Sequence, residues 1–530
     1  MSTSDIATAP PNPFPDLAPG HLQCLLIGLA FAAGMEFYTF DSVNLVIADI
    51  SGTLGLSMDE ASWLLTVYSS TLFLGVPISV WLAGRVGHKR YLLGSTVIFA
   101  IASLGCAVSS SLESLLCWRA VQGFAGSGLI MWWRASVYML VPKPQRSPSL
   151  MRISTVLYLS SALGMLAAGY LTDNYNWRLI FLPNLIYAAC AILLLTRYFP
   201  DLPPSSSPRA VREDLIGVIL IGLALVTLQI ALNRGQVDDW LGSNHIRALL
   251  IVSALSFLAF IFWQLSQWNP APLLDLSLLR DRFVLSSVLI GLIAGMVLSG
   301  SLFVLPEFLR NLSSHRYDAT HAGQVLCIYA LTAAAVRPLM VKMIATLGQR
   351  KAIAIAFGML ICSMLLFQRV LTTGTSWESY VLPLMLFGLC LSPLLPAVGS
   401  GTVARIDQSR LLDGVSIYMS FRQFGASLGV AIMNILLAHR ESVHSARLFE
   451  HLHNNRAIVE HSLATLRGSA LHHGAPSNAD DMALARLVEA ARHQSETLSY
   501  ADAFTFMAVI AVIGMCLIPI IPPTPPAVKK

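Results

Sequence analysis

Between residues 22 and 521 the chain runs in apolar stretches of about 20 residues, parted by short polar breaks. That is the length at which a helix crosses roughly 30 Å of hydrocarbon. The apolar positions do not alternate every second residue, which excludes the strands of a membrane barrel. The breaks predict spans at 22–47, 61–82, 91–109, 112–140, 150–172, 178–198, 215–233, 247–267, 283–306, 320–345, 351–371, 379–404, 412–438 and 502–521. Fourteen passages put both ends of the chain on one side. One stretch, residues 116–134 (LCWRAVQGFAGSGLIMWWR), carries two arginines, a glutamine and three glycines inside an apolar run. An arginine facing lipid is expensive, so Arg119 and Arg134 are expected to face a neighbouring helix or a water-filled cavity. Gly123, Gly126 and Gly128 remove bulk where another helix can approach.

Composition agrees: 55% of the 530 residues are hydrophobic and 12% charged, against about 25% charged in soluble proteins. The fold class is an all-α polytopic membrane protein of about fourteen spans. The net charge of +5 is spread over helix ends without a block, so no nucleic-acid partner is expected and the bilayer explains the pattern. Arg85, Lys89 and Arg90; Lys143, Arg146 and Arg152; Arg197, Arg209 and Arg212; Arg280 and Arg282; Arg350 and Lys351; and Arg405 and Arg410 follow the even spans. They make those loops and both termini cytoplasmic, with Arg310 and Arg316 as exceptions. Eight isolated cysteines without CxxC pairs read as small core residues.

The proline and serine run at 200–208 divides the chain. The expected order is a cytoplasmic tail at 1–21, a six-helix bundle at 22–200, a linker with two extra spans at 201–275, and a second six-helix bundle at 276–530. An extracytoplasmic insertion occupies 438–500. Its His439, His444, His451, His453, His461, His472, His473 and His493 include no tight pair with a supporting acid, so a solvated helical hairpin is preferred to a metal site. Residues 75–90 and 336–351 echo each other, each with an early proline and a late glycine before basic residues. Echoed halves are how many transporters build an alternating-access pathway.

The motifs in these segments resemble the major facilitator superfamily, in its fourteen-helix drug:proton antiporter branch of EmrB/QacA-like exporters. The resemblance covers nearly the whole chain. Arg119, Gln122, Gly123 and residues 126–128 fit the family's R-x-x-Q-G-x-G-type pattern, whose arginine is tied to proton coupling or to helix geometry. Leu82, Ala83, Arg85, Gly87 and Lys89 resemble its cytoplasmic gate, with Val80 and Gly84 where Gly and Asp are usual, so the family's charge latch lacks its acid. A purely topogenic role for Arg85, Lys89 and Arg90 is the slightly preferred alternative. Gly164 and Gly169 resemble the antiporter pattern G-P-x-x-G-G, with Met165 in place of the proline and Ala168 in place of a glycine. That keeps close packing and removes a kink. Arg422, Gln423, Gly425, Ser427 and Gly429 resemble an arginine–glycine pattern of the second half, read as packing with a polar anchor.

Span one carries Glu36, Asp41 and Asn44. Spacing by three puts Asp41 and Asn44 on one face toward a cavity and Glu36 on another. Asp41, aided by Arg119, is the expected protonation site, with Glu36 a further candidate; a capping role for Asp41 stays open. Substrate-cavity candidates are Asn44, Gln122, Trp132, Trp133, Arg134, Glu307, Arg337 and Arg422. The tryptophans can stack on a substrate or anchor at the interface. Glu307 can line the outer mouth or mark a boundary, and Arg337 can bind an anion or snorkel.

No phosphate loop, catalytic triad or zinc protease pattern is present, so ATP-driven transport and hydrolysis have no support, and neither enzyme activity, metal nor cofactor is expected. The resemblance implies proton-coupled export of amphiphilic small molecules across a bacterial cytoplasmic (inner) membrane. A periplasmic adaptor and an outer-membrane channel are the implied partners. A dedicated metabolite or siderophore exporter and a non-transporting sensor or scaffold on the same fold are the alternatives.

Overall fold

The computed structural model describes residues 19–201, 214–235, 238–270, 272–311, 317–372, 374–404, 406, 410–450, 452, 457–472 and 479–520. Outside them lie most of the expected tail and of the proline and serine run at 200–208, together with Arg209, Arg212, Arg316, Arg405, His451, His453 and His473. The described residues form α1 (Pro19–Leu45), α2 (Ile47–Leu54), α3 (Met58–Val86), α4 (His88–Val108), α5 (Leu112–Leu140), α6 (Lys143–Asn174) and α7 (Pro183–Tyr198). There follow α8 (Leu215–Arg234), α9 (Asn244–Leu265), α10 (Arg282–Asn311), α11 (Ala319–Ala335), α12 (Arg337–Leu347) and α13 (Gln349–Val370). The last are α14 (Glu378–Ala404), α15 (Leu411–Glu450), α16 (Ala457–His472) and α17 (Ala479–Cys516).

Among the described residues, twelve helices are long and apolar enough to cross a membrane. The pair α11 and α12, bent by 49° at Val336, supplies one more passage. Pro338, which lacks an N–H and crowds the carbonyl of residue 334, accounts for the bend. The 29-residue α5 is the remaining helix of spanning length among the described residues; its arginines, Gln122 and glycines leave it without an apolar stretch as strong as those of the twelve. The chain is an integral membrane protein. Lipid-facing stripes are evident where the helices meet no partner: Ile251, Leu255, Leu258 and Phe262 of α9 are all more than half exposed, at helical spacing.

Helices α1 and α3–α7 pack on one another, and α10–α15 with α17 form a second group. The groups meet along two seams, α6 against α11 and α3 against α15, and the α8–α9 hairpin lies on α3 and α15. Asp214 holds that hairpin: its carboxylate accepts from Gly217 N (2.8 Å), Trp263 Nε1 (2.6 Å), Gln264 Nε2 (2.6 Å), Asn269 Nδ2 (3.0 Å) and Leu273 N (3.0 Å). Burial pushes this carboxyl up, but the bonds outweigh it and leave it below its ordinary value.

The sequence echo has a backbone counterpart. Gly87 (φ 93°, ψ 141°) and Gly348 (φ 80°, ψ 161°) join consecutive helices in the same conformation, in a region nearly restricted to glycine. Each closes the preceding helix with its N–H, on Ala83 O and Ile344 O (both 3.0 Å), and opens the next by accepting from Tyr91 N or Ala352 N. Far from that turn, α15 and α17 run for 40 and 38 residues, about 60 Å at 1.5 Å per residue, twice the hydrocarbon thickness. The polar insertion is therefore built largely from continuations of two spans, with α16 packed on α17.

Candidate functional site

Glu36 and Asp41 project from α1 into one cavity of about 100 Å³ between the two helix groups. Both are buried, at 6% and 7% exposure. The expectation that Asp41 shares its cavity with Asn44 and not with Glu36 is corrected here. The cavity wraps a face broad enough to take positions 36, 37, 40 and 41, while Asn44 leaves it to donate to Leu302 O of α10 (2.9 Å). Asp41 accepts from the Ser161 hydroxyl of α6, and the Ser161 and Tyr329 hydroxyls are 3.2 Å apart. Tyr329 belongs to α11, so this chain of oxygens crosses the seam between the groups. Arg422, on α15, is the basic side chain of the same cavity, and its field reaches Glu36.

Arg119 is fully buried elsewhere, within the first group. Its Nη1 donates to Gln122 Oε1 (2.7 Å), its Nε to Leu64 O (3.3 Å), and its guanidinium lies 4.0 Å from the Tyr68 ring centroid. Gln122 Nε2 passes the network to Ser103 Oγ (2.8 Å). Neither hydrogen bond nor ion pair between Arg119 and Asp41 occurs among the described residues; Glu36 is the acid within its field. Gly123 permits this arrangement, because a Cβ there would strike the backbone of Tyr68.

A second cavity, of about 310 Å³, lies where α5, α6, α12 and α14 converge. It is lined by Arg134, Arg146 and Arg337 with Trp133 and Tyr138. Arg134 stacks on Trp133 (4.9 Å) and Arg146 on Tyr138 (5.9 Å). Arg337 is 3% exposed, gives Nη1 to Ser392 O (2.5 Å), and lies 5.7 Å from the ring of Tyr158. Tyr158 also lines the acidic cavity and so stands between the two. Burial rules out snorkelling for Arg337 and interfacial anchoring for both tryptophans. Trp132 packs on His88 (4.7 Å) and Tyr91 (6.3 Å). Asn44, Gln122, Trp132 and Glu307 line neither cavity; Glu307 lies against Tyr500 of α17.

In the gate motif, Arg85 stacks on Trp81 (5.0 Å) and Lys89 lies 3.4 Å from Asp201. Gly164 lets α6 meet the backbone of Tyr38, and Gly169 lets it meet Ala319. With Met165 in place of the motif's proline, α6 runs through Gly164 and Gly169 as one continuous helix.

Sequence reasoning missed the contacts that tie the groups together on the face where α1 ends. Arg310 of α10 forms a two-pronged ion pair with Asp49 of α2, which explains a basic residue on an otherwise basic-poor side. Asp173, at the end of α6, accepts from Ala319 N (3.2 Å), Thr320 N (2.6 Å) and Thr320 Oγ1 (2.6 Å), capping α11 from across the seam. Ser161 and Tyr329 were missed as well. Single hydroxyls in apolar runs carry no signal of their partners; only the charges Asp49, Asp173 and Arg310 were visible, without a pairing.

Residues 29–430 match the family described as the Major Facilitator Superfamily. The multidrug export protein EmrB of Escherichia coli (strain K12) is 28% identical over 432 residues, covering 81% of this chain and 83% of that protein. The multidrug export protein EmrB of Haemophilus influenzae is 25% identical over 449 residues, covering 84% and 86%. Among solved structures, the peptide transporter POT superposes with a TM-score of 0.60 at 15% identity, covering 96% of this chain and 97% of that one, which shows a shared fold. With two helix groups meeting at two seams around a central acidic cavity, the chain belongs to the major facilitator superfamily, in its EmrB-like branch.

Proposed function

We propose that the protein exports amphiphilic small molecules in exchange for protons entering the cell, by rocking its two helix groups around the central cavities. The observation that carries the reading is the Asp41–Ser161–Tyr329 chain, a protonatable group bonded across the seam that must open and close. Ionised Asp41 accepts there and protonated Asp41 can donate, so a proton changes the relative stability of the two arrangements. Substrate needs only to favour the other arrangement. Likeness to proteins named multidrug export proteins supports efflux of more than one compound.

The reading places α5's end, the Gly87 and Gly348 turns and both termini in the cytoplasm, and the protein in the bacterial inner membrane. Arg85, Lys89 and Arg90 at one turn and Arg350 and Lys351 at the other support that orientation. It divides the chain into a tail at 1–21, bundles at 22–200 and 276–530, and a linker with two spans at 201–275. The long ends of α15 and α17 then stand outside, where a periplasmic adaptor leading to an outer-membrane channel would dock. Proton-coupling roles go to Asp41 and Glu36 with Arg422, and a positioning role to Arg119.

The test is transport by proteoliposomes under imposed pH gradients, across dyes, detergents and fatty acids. The wild type is expected to accumulate substrate in step with the gradient, and Asp41→Asn to lose that dependence while still binding substrate. Full gradient dependence in Asp41→Asn would sink the coupling role, and no transport under any gradient would sink export.

A further inference from the structure

We infer that the cavity of Arg134, Arg146 and Arg337 is a binding site for anionic amphiphiles, molecules with one carboxylate, sulfonate or phosphate on an apolar body. The inference deepens the export reading by naming a substrate class.

Three guanidiniums line this space, and no acidic side chain does among the described residues. A buried guanidinium stays protonated, and a buried cation without a counter-charge is costly. Arg337 is buried, and its Nε has no hydrogen-bond partner; the same holds for Nη1 of Arg134. The two side chains come from opposite helix groups, on α12 and α5, and lie within each other's field. An anion between them would satisfy unmatched donors on both sides at once, with the planar fork suited to two-oxygen recognition. The backbone adds to this. Arg337 is the first residue of α12, behind the 49° break, so the positive end of a helix begins within the lining.

The remainder of the lining fits an apolar body. Trp133, Leu150, Met151, Val341, Ile344 and Pro396 surround the arginines, and about 310 Å³ is at the small-molecule end of ligand sites. The space is too small for a two-chain lipid to enter whole. Arg146, at the rim beside exposed Ser147, would meet the headgroup on its way in.

The test uses the full-length protein in zwitterionic nanodiscs, with radiolabelled laurate as the anion and dodecyltrimethylammonium as the matched cation. Laurate is expected to bind saturably and to protect the protein against thermal unfolding, and the cation to do so at least tenfold more weakly. Arg337→Gln and Arg134→Gln are expected to weaken laurate binding tenfold or more, Arg337→Lys less, and Arg146→Gln about threefold. Each variant is checked for a monodisperse elution profile. Because a misfolded variant would also lose laurate, the wild-type preference for anion over cation is an independent readout.

Equal binding of the two probes by the wild type, or unchanged laurate binding by the doubly substituted variant, overturns the inference. So does loss of laurate binding in phosphatidylglycerol nanodiscs, which would assign the arginines to bilayer lipid. The two readings fail separately. Gradient-driven transport of cationic dyes without laurate binding removes the anion site and leaves the exporter, while laurate binding without transport under any gradient does the reverse.

Discussion

The Arg310–Asp49 pair and the Asp173 cap hold the two helix groups together on one face only, so breaking them should open that face. Both Arg310 and Asp49 are largely buried, at 13% and 25% side-chain exposure, and the contact is two-pronged. A charge-assisted bond of this kind contributes about 1.5–3 kcal/mol when shielded, and partial exposure reduces the figure to about 1–2 kcal/mol. Since about 1.4 kcal/mol is a factor of ten, Arg310→Gln should shift the ratio of closed to open by roughly 5- to 30-fold. Asp173→Asn, which keeps one acceptor, should act in the same direction and more weakly. Spin labels at the exposed Tyr175 and Trp377 positions, one from each group, would report the change by electron–electron resonance in nanodiscs. The parent should give one short distance, and Arg310→Gln a second, longer one; the double variant should be dominated by it. An unchanged single distribution in the double variant would refute the latch, and the energies assigned to it.

Two other sites give sharp expectations. Asp214→Ala should free the α8–α9 hairpin, at a cost of about 3 kcal/mol for the stranded donors. Faster hydrogen exchange confined to 215–275 would report it. Because the folded carboxyl lies below its ordinary value, the contribution is complete above the unfolded value near about 3.9 and is lost only as pH falls through the lower, folded one. The protection of the hairpin amides, corrected for the pH dependence of intrinsic exchange, should accordingly be flat between pH 5 and 8. Gly87→Ala should cost about 1–3 kcal/mol by forcing a side chain into a glycine-only conformation. A drop in the unfolding midpoint, matched by Gly348→Ala, would check it.

Much of the fold was legible because membrane helices must satisfy their own backbone, which makes each passage a readable apolar run. The span from 112 to 140 coincides with α5, and the 75–90 and 336–351 echo foretold the paired turns at Gly87 and Gly348. The candidate site was legible only in its ingredients. Glu36, Asp41, Arg119, Arg134, Arg337 and Arg422 stood out by their cost in lipid, yet nothing in one sequence says which pairs with which. Arg119 turned inward to Gln122 and Tyr68, and Arg422, read both as an anchor and as a cavity candidate, lines the cavity of the acids. Helical spacing could not rule Glu36 out of Asp41's cavity, because a cavity wider than one row of side chains accepts positions well over 100° apart.

The layout constrains how proton and substrate can be exchanged. The acidic cavity holds Glu36, Asp41 and Arg422, and the basic cavity begins across Tyr158, with Arg422 also within the field of Arg134. An anion in the basic cavity makes the acids harder to ionise, and a proton on an acid removes a charge that repels the anion. Direct electrostatics therefore favours simultaneous occupancy, the sign of co-transport. Exchange of an anion for protons requires a stronger opposing coupling, and the only kind available is conformational, with proton and substrate stabilising different arrangements of the helix groups. The oxygens of Asp41, Ser161 and Tyr329 are the described contacts that join an acid of the central cavity to the seam between the helix groups. For a cationic substrate the electrostatic sign reverses, because cation and proton then compete for the same carboxylates, and exchange needs no such device. The charge of the substrate thus decides how much of the coupling must pass through that seam.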